Sequence, residues 1–371
     1  MNMYDYVDEY GIYDFDELEF NEVDSAIFSF LSYANLSEII DNNNITINLA
    51  GRIHFGIYKG SDRNIIAVKE ANKLLRYIKD TKRYRNCILS NYVYVGNRDV
   101  QFGALSIEYK KNCVFVSFEG TNELFSGWKE NFILGYEFPT KSHKMAIEYL
   151  NKFYTYNLKK LIVGGHSKGG NLALVASMYA NFIVRSKIMK IYNLDGPGLL
   201  DREFNSKQFK RILPKYIHIM PECSIIGLLL NHTNDYIVKT SIDDVLAHNI
   251  YYWQIEKNAF IKSELTPLSK ELDKEIKKWF DTFKKEDKID FINNFQIILD
   301  RAGIDSLLDL KTEFKNVVNL VYESKDINDN NKKILIDLFK LIIKCISNVK
   351  KEELKRFINK NILSRVKNEN W

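Results

Sequence analysis

One serine stands between two glycines in Gly165-His166-Ser167-Lys168-Gly169. This is the stretch whose residue types and spacing most suggest chemistry. The apolar run Leu161-Ile162-Val163 leads into it, and a helical pattern of small and apolar residues, Asn171 to Ala180, leads out. A strand, a sharp turn and a helix form the context of a nucleophile elbow, in which the serine is held in a strained conformation at the tip. Side chains at i−2 and i+2 would collide with the neighbouring strand and helix, so Gly165 and Gly169 are the residues the turn needs. The competing reading is a glycine-rich loop with a passive serine.

A serine hydroxyl needs a base, and the base needs an orienting acid. After such an elbow the chain order is serine, acid, histidine. Three histidines follow Ser167: His218, His232 and His248. His218 sits inside the apolar pattern Tyr216–Met220, in or under a sheet. His232 comes before the leading acid candidate. His248 lies in a loop ahead of an apolar segment and is the expected base. Two acids compete. Asp235 opens an apolar run in Asn234-Asp235-Tyr236-Ile237-Val238 and is favoured. Asp195, in Asn193-Leu194-Asp195-Gly196-Pro197-Gly198, ends a strand at the edge where α/β sites assemble and is the alternative.

The oxyanion of an acyl-transfer intermediate needs two backbone donors. The N–H of Lys168 is one candidate. Glu119-Gly120-Thr121, directly after the apolar run Cys113–Phe118, offers Thr121 as the second, unless it is an ordinary glycine turn. The histidines are too dispersed along the chain to suggest a metal ligand set, so neither a metal nor any other cofactor is expected.

These residues need a sheet to position them. Helical periodicity runs over residues 23–40, where Asp24 is the expected cap, and over 64–83. The period then shortens. Segments 92–95, 102–109 and 113–118 read as strands, with a hairpin turn at Lys110-Lys111-Asn112. A helix over 141–157, the elbow, strands at 188–194 and 216–220, and a helix over 204–213 follow. Tyr236–Lys239 and Asn249–Ile255 read as further strands. Antiparallel strands followed by alternating strands and helices predict a mixed α/β sheet. Beyond about residue 265 only helical patterns remain, over 271–284, 291–302, 307–322, 333–349 and 352–366.

Composition narrows the function classes. The length of 371 residues allows one large domain and an appendage. No Lys or Arg precedes Arg52, while nine acidic residues crowd positions 5–24, so the net charge of +5 rests on a basic remainder. An acidic arm lying on a basic body is the favoured reading. A basic surface for anionic lipid is the sharper one, which makes peripheral membrane contact a possible partner role. No arginine-rich block or RNA-binding motif points to nucleic acid. The four cysteines form no C-x-x-C pair, which suits a reducing compartment. No signal-peptide pattern is present, and the best apolar run, Ser224–Leu230, is too short to span a membrane. The expectation is a cytoplasmic protein.

The motifs together resemble class 3 lipases. Phe118-Glu119-Gly120-Thr121, followed by Gly127-Trp128, is similar to their F-R-G-T…D-W block, and Gly165–Gly170 to their G-H-S-L-G-G elbow. Asn234–Val238 is similar to their N-D-x-V turn, and His248–Trp253 to their H-x-x-x-Y-W segment. A bacterial branch of uncharacterised lipase-like proteins is closer still, sharing Phe20-Asn21-Glu22-Val23-Asp24 and Asn193–Gly198. The resemblance implies an α/β-hydrolase fold with a mixed, mostly parallel sheet. It implies Ser167 as nucleophile, Asp235 as acid, His248 as base, and Thr121 with Lys168 as the oxyanion hole. An ester or lipid is the implied substrate.

Two residues depart from the pattern. Glu119 replaces an arginine. Lys168 replaces a leucine, placing a cation at the expected site mouth, to meet an anionic substrate, extend into solvent, or pair with Glu119 or Glu123. Asn122–Gly135 is the one candidate cover for the site. The chain divides into an acidic arm and helix over 1–50, a hydrolase core over 51–262 and a helical region over 263–371. A serine ester hydrolase is the main expectation. A weakly active hydrolase-fold scaffold that binds through its tail, and an acyltransferase, are the alternatives.

Overall fold

The computed structural model describes residues 1–40, 44–57, 66–96, 100–121, 133–243, 245–282, 301–303 and 314–324, with single residues at 294, 297, 298, 332 and 336. Eight strands lie side by side in chain order. They are β1 (Ile45–Thr46), β2 (Ile88–Gly96), β3 (Gln101–Lys110), β4 (Cys113–Phe118), β5 (Lys160–His166), β6 (Ile188–Leu194), β7 (Tyr216–Pro221) and β8 (Asp235–Val238). The first four pair antiparallel. From β4 onward every pair is parallel. The β3–β4 hairpin turns at Asn112, whose φ of 60° is tolerated by its short polar side chain. Parallel neighbours require crossover helices, which accounts for the change of pattern after residue 118.

Among the described residues, the α-helices include α1 (Met3–Tyr10), α2 (Glu22–Leu31), α3 (Ile47–Ile57), α4 (Ile66–Ile78), α5 (Lys141–Tyr154), α6 (Lys168–Tyr179), α7 (Phe182–Lys187), α8 (Asp201–Phe204), α9 (Lys207–Ile212), α10 (Pro267–Thr282) and α11 (Phe314–Glu323). Alternation along the strands sorts side chains onto two faces. Val114, Val116, Leu161 and Val163 pack with α5 and α6. Phe115, Ile162, Tyr192 and Leu194 pack with α1, α2 and α4 on the other face. With both faces covered, this is the architecture of an α/β hydrolase.

The acidic start does more than lie on the surface. Met3, Tyr6, Val7 and Phe15 are buried in the core, and α2 is buried along almost its whole length. Arg83 fixes it: its guanidinium donates to both carboxylate oxygens of Asp24, at 2.8 and 2.5 Å, and to the carbonyl of Leu18 at 2.9 Å. At the surface Lys82 bonds Glu17 and Lys110 bonds Asp16. The cap of α2 is Asn21, whose side chain accepts from Val23 and Asp24. Asp24 instead takes the third helical position and returns a bond to the Asn21 N–H, completing a capping box.

Three expected elements differ. The helix expected over 23–40 ends at Leu31, and turns follow it. In place of a strand over Asn249–Ile255 there is a short 3-10 turn over Ile250–Tyr252, preceded by another over Val245–His248 and followed by a two-residue strand pairing Ile255–Glu256 with Ala259–Phe260. Trp253 explains this: its buried indole N–H donates back to the Ala247 carbonyl at 2.9 Å, folding the segment on itself. The expected helix over 204–213 is split at Asn205–Ser206, where Ser206 caps α9. Of the C-terminal helices, α10 and α11 are described. The one expected over 352–366, all but residue 336 of the one over 333–349, and seven of the twelve residues of the one over 291–302 lie outside the described residues. So does the candidate cover for most of its length. Among the described residues, no helix is long and apolar enough to cross a membrane.

Candidate active site

Strand β5 runs straight into Ser167, and α6 begins at the next residue. Ser167 has φ 57° and ψ −133°, a conformation that costs a non-glycine residue on the order of 1–3 kcal/mol and persists only when its surroundings enforce it. Its N–H donates to the Leu194 carbonyl of β6 at 2.8 Å, and its carbonyl accepts from Gly170 at 2.9 Å. The flanking glycines permit this closeness. A Cβ on Gly169 would lie 2.0 Å from the Phe118 carbonyl oxygen, and one on Gly165 would lie 2.3 Å from the Gly169 carbonyl carbon. Strand β4 and the first turn of α6 therefore leave room for hydrogen alone at both positions.

His248 reaches this region from the far end of the sheet. His166, the residue before the serine, holds it: His166 Nε2 donates to the His248 carbonyl at 2.7 Å, and the two rings lie 4.5 Å apart. That bond fixes the His166 tautomer, leaving Nδ1 to accept from the Tyr33 hydroxyl at 3.3 Å. Burial, aided by the neighbouring His248, pushes the His166 imidazole down to about 3, so it stays neutral at ordinary pH.

The acid facing His248 is Asp195. Its Oδ2 accepts from His248 Nδ1 at 2.6 Å. Asp195 is fully buried just past the end of β6, with φ 48°. Its other oxygen accepts from the Ser224 hydroxyl at 2.5 Å and from the Gly227 N–H at 3.1 Å. Both carboxylate oxygens are thus occupied, which fixes the imidazole's orientation. The next loop residues are pinned too. Asn193 Oδ1 accepts the Gly196 N–H at 2.9 Å, and Asn171 Nδ2 donates to the Gly198 carbonyl at 2.7 Å.

Asp235, the favoured acid, does not meet His248. It opens β8, two strands beyond β6, and its carboxylate accepts from His218 Nδ1 at 2.8 Å and His232 Nδ1 at 2.6 Å. Burial would raise its pKa, but the two imidazole bonds outweigh that and hold it well below the usual carboxylate range. The expected dispersal of the histidines is also corrected. The fold gathers His218, His232 and Asp235, three side chains of metal-ligating type, although they are spread over 18 positions from 218 to 235.

The strand β4 loop does approach the serine. A Cβ on Gly120 would lie 3.1 Å from Ser167 Cβ and 2.0 Å from the Tyr33 hydroxyl, so Thr121 follows a residue packed on the elbow. Lys168 is not at a site mouth. It is buried, and its ammonium turns inward to donate to the Gln101 carbonyl at 2.6 Å. Glu119 is buried in the same place, with Oε1 accepting from the Gln101 side chain at 3.3 Å. The two departures from the lipase pattern thus converge on the start of β3. Glu123 lies outside the described residues.

Sequence reasoning missed the supports. Ser224 and Gly227 belong to an apolar run that was considered only as a membrane span, and nothing local marks them as partners of Asp195. Tyr33 and His166 carried no signal beyond lying in or near recognisable motifs.

Among solved structures, the chain is similar to M37 lipase, at 14% identity over 57% of this chain and 70% of that one, with a TM-score of 0.37. It is similar to a Rhizomucor miehei lipase in a propeptide complex, at 14% identity over 52% and 66%, with a TM-score of 0.30. It is also similar to a lipase from Rhizopus microsporus var. chinensis, at 15% identity over 56% and 79%, with a TM-score of 0.26. No curated protein matches the sequence. The sequence model of the Mbeg1-like family matches residues 78–296, more than half of the chain, and the protein belongs to that lipase-like family.

Proposed function

We propose that the protein is a serine hydrolase of carboxylic esters, with Ser167, His248 and Asp195 as its triad and a lipid or other acyl ester as substrate. The observation that carries this reading is the pairing of a strained Ser167 at a strand-to-helix turn with a His248–Asp195 bond of 2.6 Å beside it. Asp195 replaces Asp235 in the acid role for the geometric reason given above.

In this reaction Ser167 Oγ attacks the ester carbonyl carbon while His248 Nε2 takes the hydroxyl proton. Asp195 stabilises the imidazolium and keeps Nδ1 protonated, which leaves Nε2 free to act as base. The N–H groups of Lys168 and Thr121 receive the developing oxyanion. The imidazolium then gives its proton to the departing alkoxide, leaving an acyl-serine. Water, deprotonated by the same imidazole, releases the acid. In this scheme Lys168 acts through its backbone, because its side chain is turned away toward Gln101.

The test is labelling of the folded chain by a fluorophosphonate probe, with Ser167→Ala as control. Wild type should label and the variant should not. Absence of labelling in folded wild type would remove the enzyme reading. Turnover of p-nitrophenyl esters of increasing acyl length then addresses the substrate.

A further inference from the structure

A second assembly of imidazole and carboxylate sits one link from the acid of the triad. His218 lies within β7, and Asp235 is its register partner on β8. His232 stands three residues before Asp235 and is turned back by Asn234, whose φ is 56°. The two Nδ1 atoms converge on the one carboxylate of Asp235, at 2.8 and 2.6 Å. All three candidate ligand atoms lie within 4.8 Å of one another.

The outward nitrogens are also committed. His218 Nε2 faces the Gly196 carbonyl at 3.1 Å, and His232 Nε2 faces Asp273 Oδ1 at 3.3 Å, on α10. A backbone carbonyl and a carboxylate behind two imidazoles are the usual outer partners of metal-ligating histidines. They fix the tautomer that presents Nδ1 inward.

All four ring nitrogens face oxygen atoms, and the two rings lie 6.1 Å apart in a largely buried place. Two imidazole nitrogens with one carboxylate form a donor set suited to zinc and its neighbours in the transition series. The Asp235 side chain is 24% exposed, which leaves an entry path and a position for water.

We propose that His218 Nδ1, His232 Nδ1 and the Asp235 carboxylate bind a divalent transition-metal ion of the zinc class. The ion would fasten β7, β8 and, through Asp273, α10. Its brace reaches the triad through His218 Nε2 and the carbonyl of Gly196, the residue after Asp195. The ion is a clamp on the acid loop and takes no part in ester chemistry. The proposal stands on these side chains alone, independently of the serine reading.

The full-length chain, stripped with a chelator, is titrated with CoCl2 and followed by visible ligand-field absorption, then with ZnCl2 by calorimetry. A band of low-symmetry, four- or five-coordinate cobalt saturating at one equivalent is expected, with zinc displacing it. Ser167→Ala should bind like wild type. Asp273→Ala should weaken binding about 10- to 100-fold. His232→Ala and Asp235→Asn should lose the band, and zinc should raise the melting temperature of wild type but not of these two. The wild-type titration decides even if a variant fails to fold: no band at one equivalent overturns the proposal. So does a band of undiminished strength in folded His232→Ala and Asp235→Asn.

Discussion

His248 Nδ1 and Asp195 Oδ2 meet at 2.6 Å across 53 positions of sequence. The bond joins the loop after β6 to the short turns after β8. The carboxylate end is fixed by Ser224 and Gly227, and the imidazole end by His166 and Trp253.

The acid assignment gives the sharpest expectation. Asp195→Asn preserves shape but favours the wrong imidazole tautomer, so kcat for ester hydrolysis should fall on the order of 10⁴-fold. Asp235→Asn reaches the triad only through His218 and Gly196, and should cost no more than about 10²-fold, the scale of an outer support. Steady-state kinetics of both variants check this. The opposite ranking would return the acid role to Asp235.

The elbow admits no side chain at Gly169. Gly169→Ala places a methyl against the Phe118 carbonyl, and overpacking of this kind costs about 1–3 kcal/mol. Strand β4 carries the Gly120-Thr121 loop, so its displacement should reduce fluorophosphonate labelling as well as stability. Urea unfolding together with probe labelling measures both. Unchanged labelling would show that the loop does not depend on this contact.

Acid should destabilise the fold through His166. Its pKa falls from 6.5 when unfolded to about 3 when folded, so the unfolded chain binds the extra proton between those values. Stability from this group is complete above pH 6.5 and is lost as pH falls toward 3, by at most about 1.4 kcal/mol per pH unit. His166→Gln should flatten the dependence of unfolding free energy on pH across that window. Equal slopes in the two proteins would refute the assignment.

The Arg83–Asp24 pair has both side chains fully buried. Removing one partner leaves an uncompensated charge, so Arg83→Ala or Asp24→Ala should each destabilise by about 3–5 kcal/mol. Denaturant titration checks the magnitude, and a loss below about 1 kcal/mol would mean that water reaches the site, as it does in exposed pairs.

The elbow and the strands were legible because their signals are local. Apolar alternation, a Gly-x-Ser-x-Gly turn and a run of small helical residues each need a window of only a few residues. Chain order singles out His248, the last histidine of the chain, and the structure pairs it with a buried carboxylate. Asp235 looks like an acid turn in its local setting, a polar turn opening an apolar strand, but its carboxylate meets His218 and His232, while His248 meets Asp195. Strand β6 lies beside β5, so Asp195 at its carboxyl end stands next to the elbow, while β8 lies two strands further out. Sheet neighbours are not written in any window. The same blindness hid the histidine pair, whose members come from β7 and from the loop before β8. The inward turn of Lys168 is not legible because position in a motif says nothing of rotamer, and the acceptor, the Gln101 carbonyl, is 67 residues away.

The Glu22 carboxylate at the start of α2 accepts from the Phe260 N–H at 2.9 Å, across 238 positions, and from the Tyr236 hydroxyl at 3.1 Å. This sets a clock on synthesis. A ribosome adding about 5–20 residues per second needs roughly 12 to 48 seconds to make the intervening chain. Throughout that interval Val23, Ile27, Phe28 and Phe30, all buried in the finished protein, lack part of their cover. Part of the cover of α2 is therefore made only after β4 and β5, so this helix can complete its burial only late in synthesis.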